Sequence, residues 1–262
     1  MGFTRFIAMG DSLTEGLSDR YPTGNYRGWA DRVADVLASQ NADFKYANLA
    51  VRGKLINQVI ADQIPAAISY VVPNQTILSF HAGANDLLRP KLILPEILES
   101  YVSAVEQIAK LDVKLLLFTV REILNPKSKI EELWNLRFMP FNENVKQTAR
   151  AHQATVLDAN SAQVFGDPRM LAKDRLHLSS EGHRRVAAAV LNELNLPHDS
   201  DWRDPLPPAK VTPRVIQLGV NSLWAVAFVI PWVIRRLTGK SSGDSRVAKY
   251  PTPINWPIDT LN

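Results

Sequence analysis

A serine, a histidine and an aspartate, the residue types that together perform acyl transfer, occur in this sequence in settings suited to catalysis. Ser12 follows an apolar segment, residues 3–9, and Gly10. A serine just past a buried parallel strand lies at the carboxyl edge of the sheet, where open α/β folds bind their ligands. Ser12 is therefore a candidate nucleophile. The alternative is that Asp11 or Ser12 only caps the next turn.

His177 is the candidate base for that serine, because serine is a poor nucleophile until a base takes its proton. It occurs in an irregular stretch just before a predicted helix, with Asp174 three positions earlier. Asp174 can accept a hydrogen bond from His177 Nδ1 within one turn, which leaves Nε2 to face Ser12. A lone Asp-x-x-His pair is common in surface loops, so the rest of the chain must support this interpretation.

Donors for the oxyanion that forms during acyl transfer are available after three predicted strands. Losing one such donor typically costs about 3 kcal/mol of transition-state stabilisation. The Ser12 amide lies in the first turn, the Gly53 amide in the second, and the Asn85 carboxamide in the third. Because parallel strands end at the same edge of a sheet, we expect the three donors to meet there. Taken separately, Gly53 is more often only a turn glycine, and Asn85 a turn or capping residue.

Four other residues near these turns, Asp11, Arg52, His81 and Arg89, are predicted to contact substrate on weaker grounds. The two arginines could bind an anionic substrate, although most surface arginines are only solvated. His81 could line the pocket, or it could be a structural histidine. Asp11 could simply bond the backbone of its own turn.

Strands and helices alternate along residues 1–196, which predicts a single domain with a parallel sheet and helices on both of its faces. Residues 125–140 are expected to be an irregular insertion, followed by a helix over 141–152. The predicted strands are 3–9, 45–49, 76–80, 113–120 and 155–157, and the other predicted helices include 28–38, 55–68, 95–111 and a last one from 179 or 180 to 194.

Four blocks of this sequence together resemble the SGNH, or GDSL, hydrolases, and the resemblance extends over residues 3–195. Further similarity to the stand-alone actinobacterial members is suggested by residues 27–31, 85–90 and 178–183. Ala84 departs from the pattern, because many members have a second glycine there. The four blocks are Gly10-Asp11-Ser12-Leu13, Gly53, Gly83-Ala84-Asn85-Asp86 and Asp174-Arg175-Leu176-His177.

The resemblance implies a flavodoxin-like three-layer α/β/α sandwich with a five-stranded parallel sheet, and hydrolysis of carboxylic esters without a cofactor. It implies that Ser12 is the nucleophile, that His177 is the base, and that Asp174 orients His177. It also implies an oxyanion hole of Ser12 N, Gly53 N and Asn85 Nδ2. An acyltransferase would use the same residues. A non-catalytic, membrane-associated binding module is a further alternative, which the complete set of catalytic residues disfavours.

Beyond residue 196 the sequence changes character. We predict a proline-rich linker over 197–219, an apolar helix over 220–237, and a flexible or loosely docked tail over 238–262. Only the stretch 223–234 is uninterrupted by a polar residue, which is short of the ~20 residues that span a bilayer. The helix is expected to pack on the domain or on a second subunit, or else to make peripheral membrane contact.

Composition narrows the expected partners. The net charge of +4 belongs mainly to the tail, and the body lacks a basic cluster with interleaved aromatics, so nucleic-acid binding is not expected. The chain has no cysteine, which excludes disulfides and thiolate metal sites, and we predict no metal and no cofactor. The N-terminus lacks the apolar run of a secretory signal, which favours the cytoplasm. The expected partner is a small-molecule or lipid ester.

Overall fold

The sheet at the centre of the fold has six strands in the order β5-β4-β3-β1-β2-β6. The computed structural model describes residues 2–209, 213–238 and 241–257. The first five strands are parallel, and the sixth is antiparallel to β2. The strands are β1 Arg5–Gly10, β2 Lys45–Asn48, β3 Thr76–His81, β4 Lys114–Phe118, β5 Thr155–Leu157 and β6 Tyr250–Asn255.

Helices cover both faces of the sheet, which confirms the predicted α/β fold. β3 is buried along its whole length, as expected of a central strand covered on both sides. The helices are α1 Ser12–Glu15, α2 Gly28–Gln40, α3 Ile56–Tyr70, α4 Ala84–Leu87, α5 Leu94–Ala109, α6 Lys129–Ala151, α7 Ser180–Glu193, α8 Arg214–Trp224 and α9 Ile230–Leu237, with a π-helical segment Ala225–Val229 between the last two.

The sheet separates two apolar cores. On one face, Trp29 of α2 packs against Phe118 of β4, with ring centroids 4.9 Å apart. On the other face, Tyr101 of α5 packs against Phe80 and Phe141 at 5.4 and 5.3 Å. Buried aromatic pairs of this kind hold the helices firmly on the sheet. The strand ends that carry the candidate site are therefore fixed by rigid elements.

The expected irregular insertion over 125–140 is wrong for most of its length, because α6 begins at Lys129. Ser128 caps this helix: its hydroxyl accepts a hydrogen bond from Glu131 N, while the Glu131 side chain accepts from Ser128 N. This reciprocal capping box satisfies two backbone donors at the start of the helix. Pro140 lies inside α6, and the helix continues past it to Ala151.

β6 is a sixth strand where five were predicted, and it forms within the predicted loose tail. This strand pairs with β2, and Lys45 lies opposite Asn255. Trp256 follows it and is buried, and its Nε1 donates to Asp35 Oδ1 at 2.8 Å. Lys249, just before β6, forms an ion pair with the buried Asp31 at 2.7 Å. The predicted tail residues 239–240 and 258–262 lie outside the described part of the chain.

A helix begins in the predicted linker, at Arg214 rather than at residue 220. We call residues 214–237, made up of α8, the π-helical segment and α9, the C-terminal helix. Within the described residues, its stretch Val215–Arg235 is long and apolar enough to cross a membrane by length and composition, and none of it is buried inside the protein. The helix continues through the polar residues Asn221 and Ser222.

Candidate active site

Ser12 lies where β1 turns into the one-turn helix α1. Asp11 caps this helix by accepting a hydrogen bond from Leu13 N at 3.2 Å. Gly10 is held by the buried side chain of Gln63, which accepts from Gly10 N at 2.8 Å and donates to Gly10 O at 2.9 Å. Both ends of the strand-to-helix turn are thereby fixed. Ser12 itself is half-buried.

Asp174 and His177 form a close pair in the loop before α7. Asp174 Oδ2 lies 2.6 Å from His177 Nδ1, and Asp174 Oδ1 accepts from the backbone N of His177 at 3.0 Å. Burial raises the pKa of the Asp174 carboxyl, but its hydrogen bonds with His177 prevail and lower it below its ordinary value. An ionised Asp174 fixes the imidazole with a proton on Nδ1, which leaves Nε2 free to accept a proton.

α7 places this loop beside the segment that follows Ser12. His183 Nε2 lies 3.1 Å from the carbonyl oxygen of Leu17, and its Nδ1 accepts from Trp29 N at 3.2 Å. Among the described residues, however, no hydrogen bond joins Ser12 Oγ to His177, whose imidazole is held from its Nδ1 side by Asp174. Catalytic hydrogen bonds are often long in ligand-free enzymes and tighten when substrate binds.

Asn85 brings the three predicted oxyanion-hole residues together. Its Nδ2 donates to Asp11 Oδ2 at 2.9 Å and to the carbonyl oxygen of Lys54 at 3.2 Å. Asp11 precedes Ser12 and Lys54 follows Gly53, so the three turns meet at the Asn85 carboxamide. Both Nδ2 protons are used by these acceptors. To bind an oxyanion, Asn85 would have to give up one of these two hydrogen bonds.

Gly53 requires glycine for two reasons. Its φ is +74°, a left-handed conformation that strains any other residue. A Cβ there would also lie 2.1 Å from the hydroxyl oxygen of Ser241, so the Ser241 side chain would have to move. Gly53 is therefore more than a flexible turn position.

Arg52 forms an ion pair with Glu15 in the protein interior. Its Nε donates to Glu15 Oε1 at 3.0 Å, its Nη2 also contacts that carboxylate, and its backbone N donates to Oε2 at 2.7 Å. The guanidinium also lies over the Tyr26 ring, 4.5 Å from its centroid. Both ions are largely buried, so this pair joins α1 to the Gly53 turn. Sequence reasoning missed Glu15, although an acidic residue three positions past Ser12 and an arginine just before Gly53 were both visible.

The remaining weaker candidates surround the same turns. His81 is buried at the end of β3, with Nδ1 3.6 Å from Asp11 Oδ1. Arg89 lines a cavity of about 210 Å³ together with Asp86 and Glu96. Burial raises the pKa of Asp86 to about 6, and its Oδ2 accepts a hydrogen bond from Ile56 N at 2.9 Å. A substrate contact by Asp11, Arg52, His81 or Arg89 stays a prediction.

Residues 8–185 match the GDSL-like lipase/acylhydrolase family, which is more than half of the chain. The chain belongs to this family. The match contains Ser12, Gly53, Asn85, Asp174 and His177. No curated protein matches the chain.

Solved structures of esterases share the fold of this GDSL-like chain. An acetylxylan esterase from Geobacillus stearothermophilus is 20% identical, with a TM-score of 0.59, and the alignment covers 76% of this chain and 98% of the esterase. A psychrotrophic esterase from Pseudoalteromonas sp. is 14% identical, with a TM-score of 0.55 and coverages of 73% and 97%. A lipolytic G-D-S-L protein from Veillonella parvula is 19% identical, with a TM-score of 0.56 and coverages of 72% and 96%.

The C-terminal helix and the residues that follow it lie outside the part that matches the GDSL-like family, yet they contact the loops that carry the predicted site residues. Trp224 Nε1 donates to the backbone oxygen of Asp174 at 3.0 Å. Arg175 stacks on the Trp224 ring, 4.5 Å from its centroid, and donates to Asn221 Oδ1 at 2.8 Å. Beyond the helix, Ser241 packs on Gly53. The sequence did not reveal these contacts, because they join segments far apart in the chain.

Within the described residues of this family member, no group of three or more His, Cys, Asp or Glu side chains could hold a metal ion.

Proposed function

We propose that this protein is a carboxylic ester hydrolase that works through an acyl-enzyme on Ser12. The observation that carries the proposal is the Asp174–His177 pair, 2.6 Å apart, in a chain whose Asn85 carboxamide joins the Ser12 and Gly53 turns. Membership of the GDSL-like lipase/acylhydrolase family supports it. The esterases with a similar structure are below 25% identity, so they support the fold and leave the substrate open.

In the proposed reaction, His177 Nε2 takes the proton of Ser12 Oγ as the oxygen attacks the ester carbonyl carbon. Asp174 stabilises the imidazolium that forms. The amides of Ser12 and Gly53 and the Asn85 carboxamide donate to the oxyanion, with Asn85 exchanging one of its present acceptors for it. The tetrahedral intermediate collapses, and His177 gives its proton to the leaving alcohol. Water, activated by the same histidine, then attacks the acyl-enzyme and releases the acid.

The first test is hydrolysis of p-nitrophenyl esters, from acetate to palmitate, by the wild type and Ser12→Ala. We expect the variant to lose at least about a thousandfold in kcat, because the nucleophile is gone. Ser69→Ala, an exposed serine on α3, is the matched control and should keep wild-type activity. Full activity in Ser12→Ala would contradict the proposal. The preferred chain length would measure the acyl pocket.

Two alternatives give different results in the same assay. An acyltransferase would form ester with an added alcohol faster than it releases free acid, and both products would disappear in Ser12→Ala. A non-catalytic binding module would hydrolyse no ester although the protein is folded. The similarity to stand-alone actinobacterial members and the cytoplasmic location stay predictions.

A further inference from the structure

The C-terminal helix, residues 214–237, presents an apolar face to solvent. Its stretch Val215–Arg235 has 21 residues and is about 30 Å long at a rise of about 1.5 Å per residue. Contiguous exposed apolar surface of this length is unusual for a protein that is surrounded only by water. Six of its large apolar side chains are more than half exposed: Val215, Ile216, Leu218, Leu223, Val226 and Ile234.

The opposite side of the same helix is attached to the catalytic loop. Asn221 and Trp224 are half-buried and bond to Arg175 and to the Asp174 carbonyl. Ala225 and Val229, one turn and two turns further on, are half-buried as well. These positions recur at helical spacing, so one side of the helix lies along the protein while the other points away.

The strand that follows the helix decides how the helix can meet a membrane. β6 pairs with β2 in the same sheet as the body of the protein, so the chain before and after the helix is on one side. A single crossing would place β6 across the bilayer from its partner. A return crossing by residues 238–249 would carry unpaired backbone groups, Asp244 and Arg246 through hydrocarbon. The helix is long enough to span, but the fold requires it to lie flat.

The charge pattern around the helix favours a lipid surface over a second copy of the helix as the partner of the apolar face. Residues 215–234 contain no charged residue, whereas basic residues stand on both sides of them. Two copies of the helix packed face to face would bring these like charges close together. An anionic bilayer would instead attract each of them, by about 1 kcal/mol per basic residue near the surface. The flanking basic residues are Lys210, Arg214, Arg235, Arg236 and Lys240.

We propose that the protein docks on an anionic lipid bilayer through the outward apolar face of the C-terminal helix, which lies in the membrane interface. Because the inner face of that helix holds the loop of Asp174 and His177, docking brings this loop to the membrane surface. The ester that the site cleaves is then one carried by the bilayer. This last step rests on the proposed ester hydrolysis, whereas docking does not.

The test is flotation of the full-length protein with vesicles of phosphatidylcholine, with and without phosphatidylglycerol. We expect the wild type to float with the anionic vesicles, and less so with phosphatidylcholine alone or at high salt. Leu223→Ser combined with Val226→Ser should lower the partition at least about tenfold, because it removes two exposed apolar side chains from the docking face. A wild type that stays at the bottom of the gradient would overturn the proposal.

A matched control uses two apolar residues near the start of α6 that are even more exposed than Leu223 and Val226. Leu124 and Ile130 are each 81% exposed, and Leu124→Ser combined with Ile130→Ser should float like the wild type. If both double variants lose flotation equally, the protein adsorbs nonspecifically through exposed apolar residues, and the C-terminal helix is not the docking face. The proposal would also be overturned if light scattering showed a dimer for the wild type and a monomer for the variant at Leu223 and Val226, while neither protein floated.

Activity separates the two proposals. A p-nitrophenyl palmitate dispersed in anionic vesicles should be cleaved at least about tenfold more slowly by the variant at Leu223 and Val226, while soluble p-nitrophenyl acetate is cleaved as by the wild type. If the variant no longer floats but cleaves both substrates as fast as the wild type does, the bilayer is not the source of the substrate. Flotation without hydrolysis of any ester would instead contradict the proposed function and leave docking supported.

Discussion

The Glu15 carboxylate and the Arg52 guanidinium form a buried ion pair that joins the helix carrying Ser12 to the turn carrying Gly53. Burial lowers the pKa of Arg52, but the hydrogen bonds with Glu15 and Tyr26 prevail and raise it above its ordinary value. Neither residue touches the reacting atoms in the proposed mechanism. We expect the pair to set the distance between Ser12 and the Gly53 turn.

Replacing Glu15 with glutamine should therefore damage both stability and catalysis. Arg52 would keep its charge in the interior without a partner, which costs about 3 kcal/mol of unfolding free energy. The Gly53 turn would shift, and a displacement of about 1 Å can cost about a hundredfold in rate. Urea unfolding and kcat on p-nitrophenyl acetate measure the two effects.

Glu143→Gln is the control for that variant. Glu143 pairs with Arg150 on the surface of α6, where water screens the charges, so its loss should leave unfolding and activity close to wild type. If Glu15→Gln behaves like Glu143→Gln, the buried pair does not position the Gly53 turn.

Sequence reasoning proposed residues for a direct chemical role and missed those that support their turns. Ser12, Asp174 and His177 are recognisable because their residue types and order point to one reaction. Glu15 and Gln63 are common residue types whose partners, Arg52 and Gly10, lie 37 and 53 positions away. Only the folded chain brings such pairs together, so no local pattern could identify them.

β6 is the element that sequence reasoning assigned least well. Its sequence Tyr-Pro-Thr-Pro-Ile-Asn carries two prolines, which normally argue against a strand. The strand forms because it lies at the edge of the sheet and is fixed by Trp256, whose ring is 5.0 Å from that of Tyr46. Likewise, α6 was missed because Pro140 and mixed polarity hide its period.

Trp256→Ala should destabilise the whole protein if β6 is part of its cooperative fold. Removing a buried tryptophan leaves a cavity and typically costs about 3 kcal/mol. Thermal unfolding followed by circular dichroism would show the loss as a lower melting temperature. Val247→Ala, at a side chain that is 86% exposed, is the control and should melt like the wild type. An unchanged melting temperature in Trp256→Ala would mean that β6 is only loosely attached.

At the scale of the whole molecule, two buried groups make stability depend on pH in opposite directions. Burial lowers the pKa of His183 to about 4, so the folded protein resists its protonation. Burial raises the pKa of Asp31 to about 6, against the opposing effect of Lys249. Asp31 contributes stability that is lost as pH rises through about 6. His183 contributes stability that is present above about 6.5 and lost as pH falls toward 4.

His183→Gln should isolate the histidine contribution. Between pH 6.5 and 4 the wild type should lose up to about 3 kcal/mol of unfolding free energy through this residue, because the unfolded chain takes up the proton first. The variant lacks that loss, so its stability should fall less over the same range. Asp31 is present in both proteins and cancels in the comparison. Urea unfolding at several pH values measures it, and parallel curves would show that His183 does not titrate this way.

The general architecture followed from the sequence, because alternating apolar strands and amphipathic helices permit few other arrangements. Five parallel strands, the flanking helices and the position of Ser12 after β1 were all expected. Beyond residue 196 the apolar helix was expected, but β6 and the contacts of this region were not, since they depend on pairs such as Lys249 with Asp31 and Trp224 with the Asp174 carbonyl. Long-range contacts of single side chains leave no periodic trace.

The prolines of β6 also decide what the free edge of the sheet can do. Pro251 and Pro253 both lie on this edge strand, and neither has a backbone N–H. A strand from another molecule would find acceptors there but no donors at these two positions. Natural sheets use prolines on edge strands to prevent such pairing. On this side of the sheet, β6 protects the protein against aggregation.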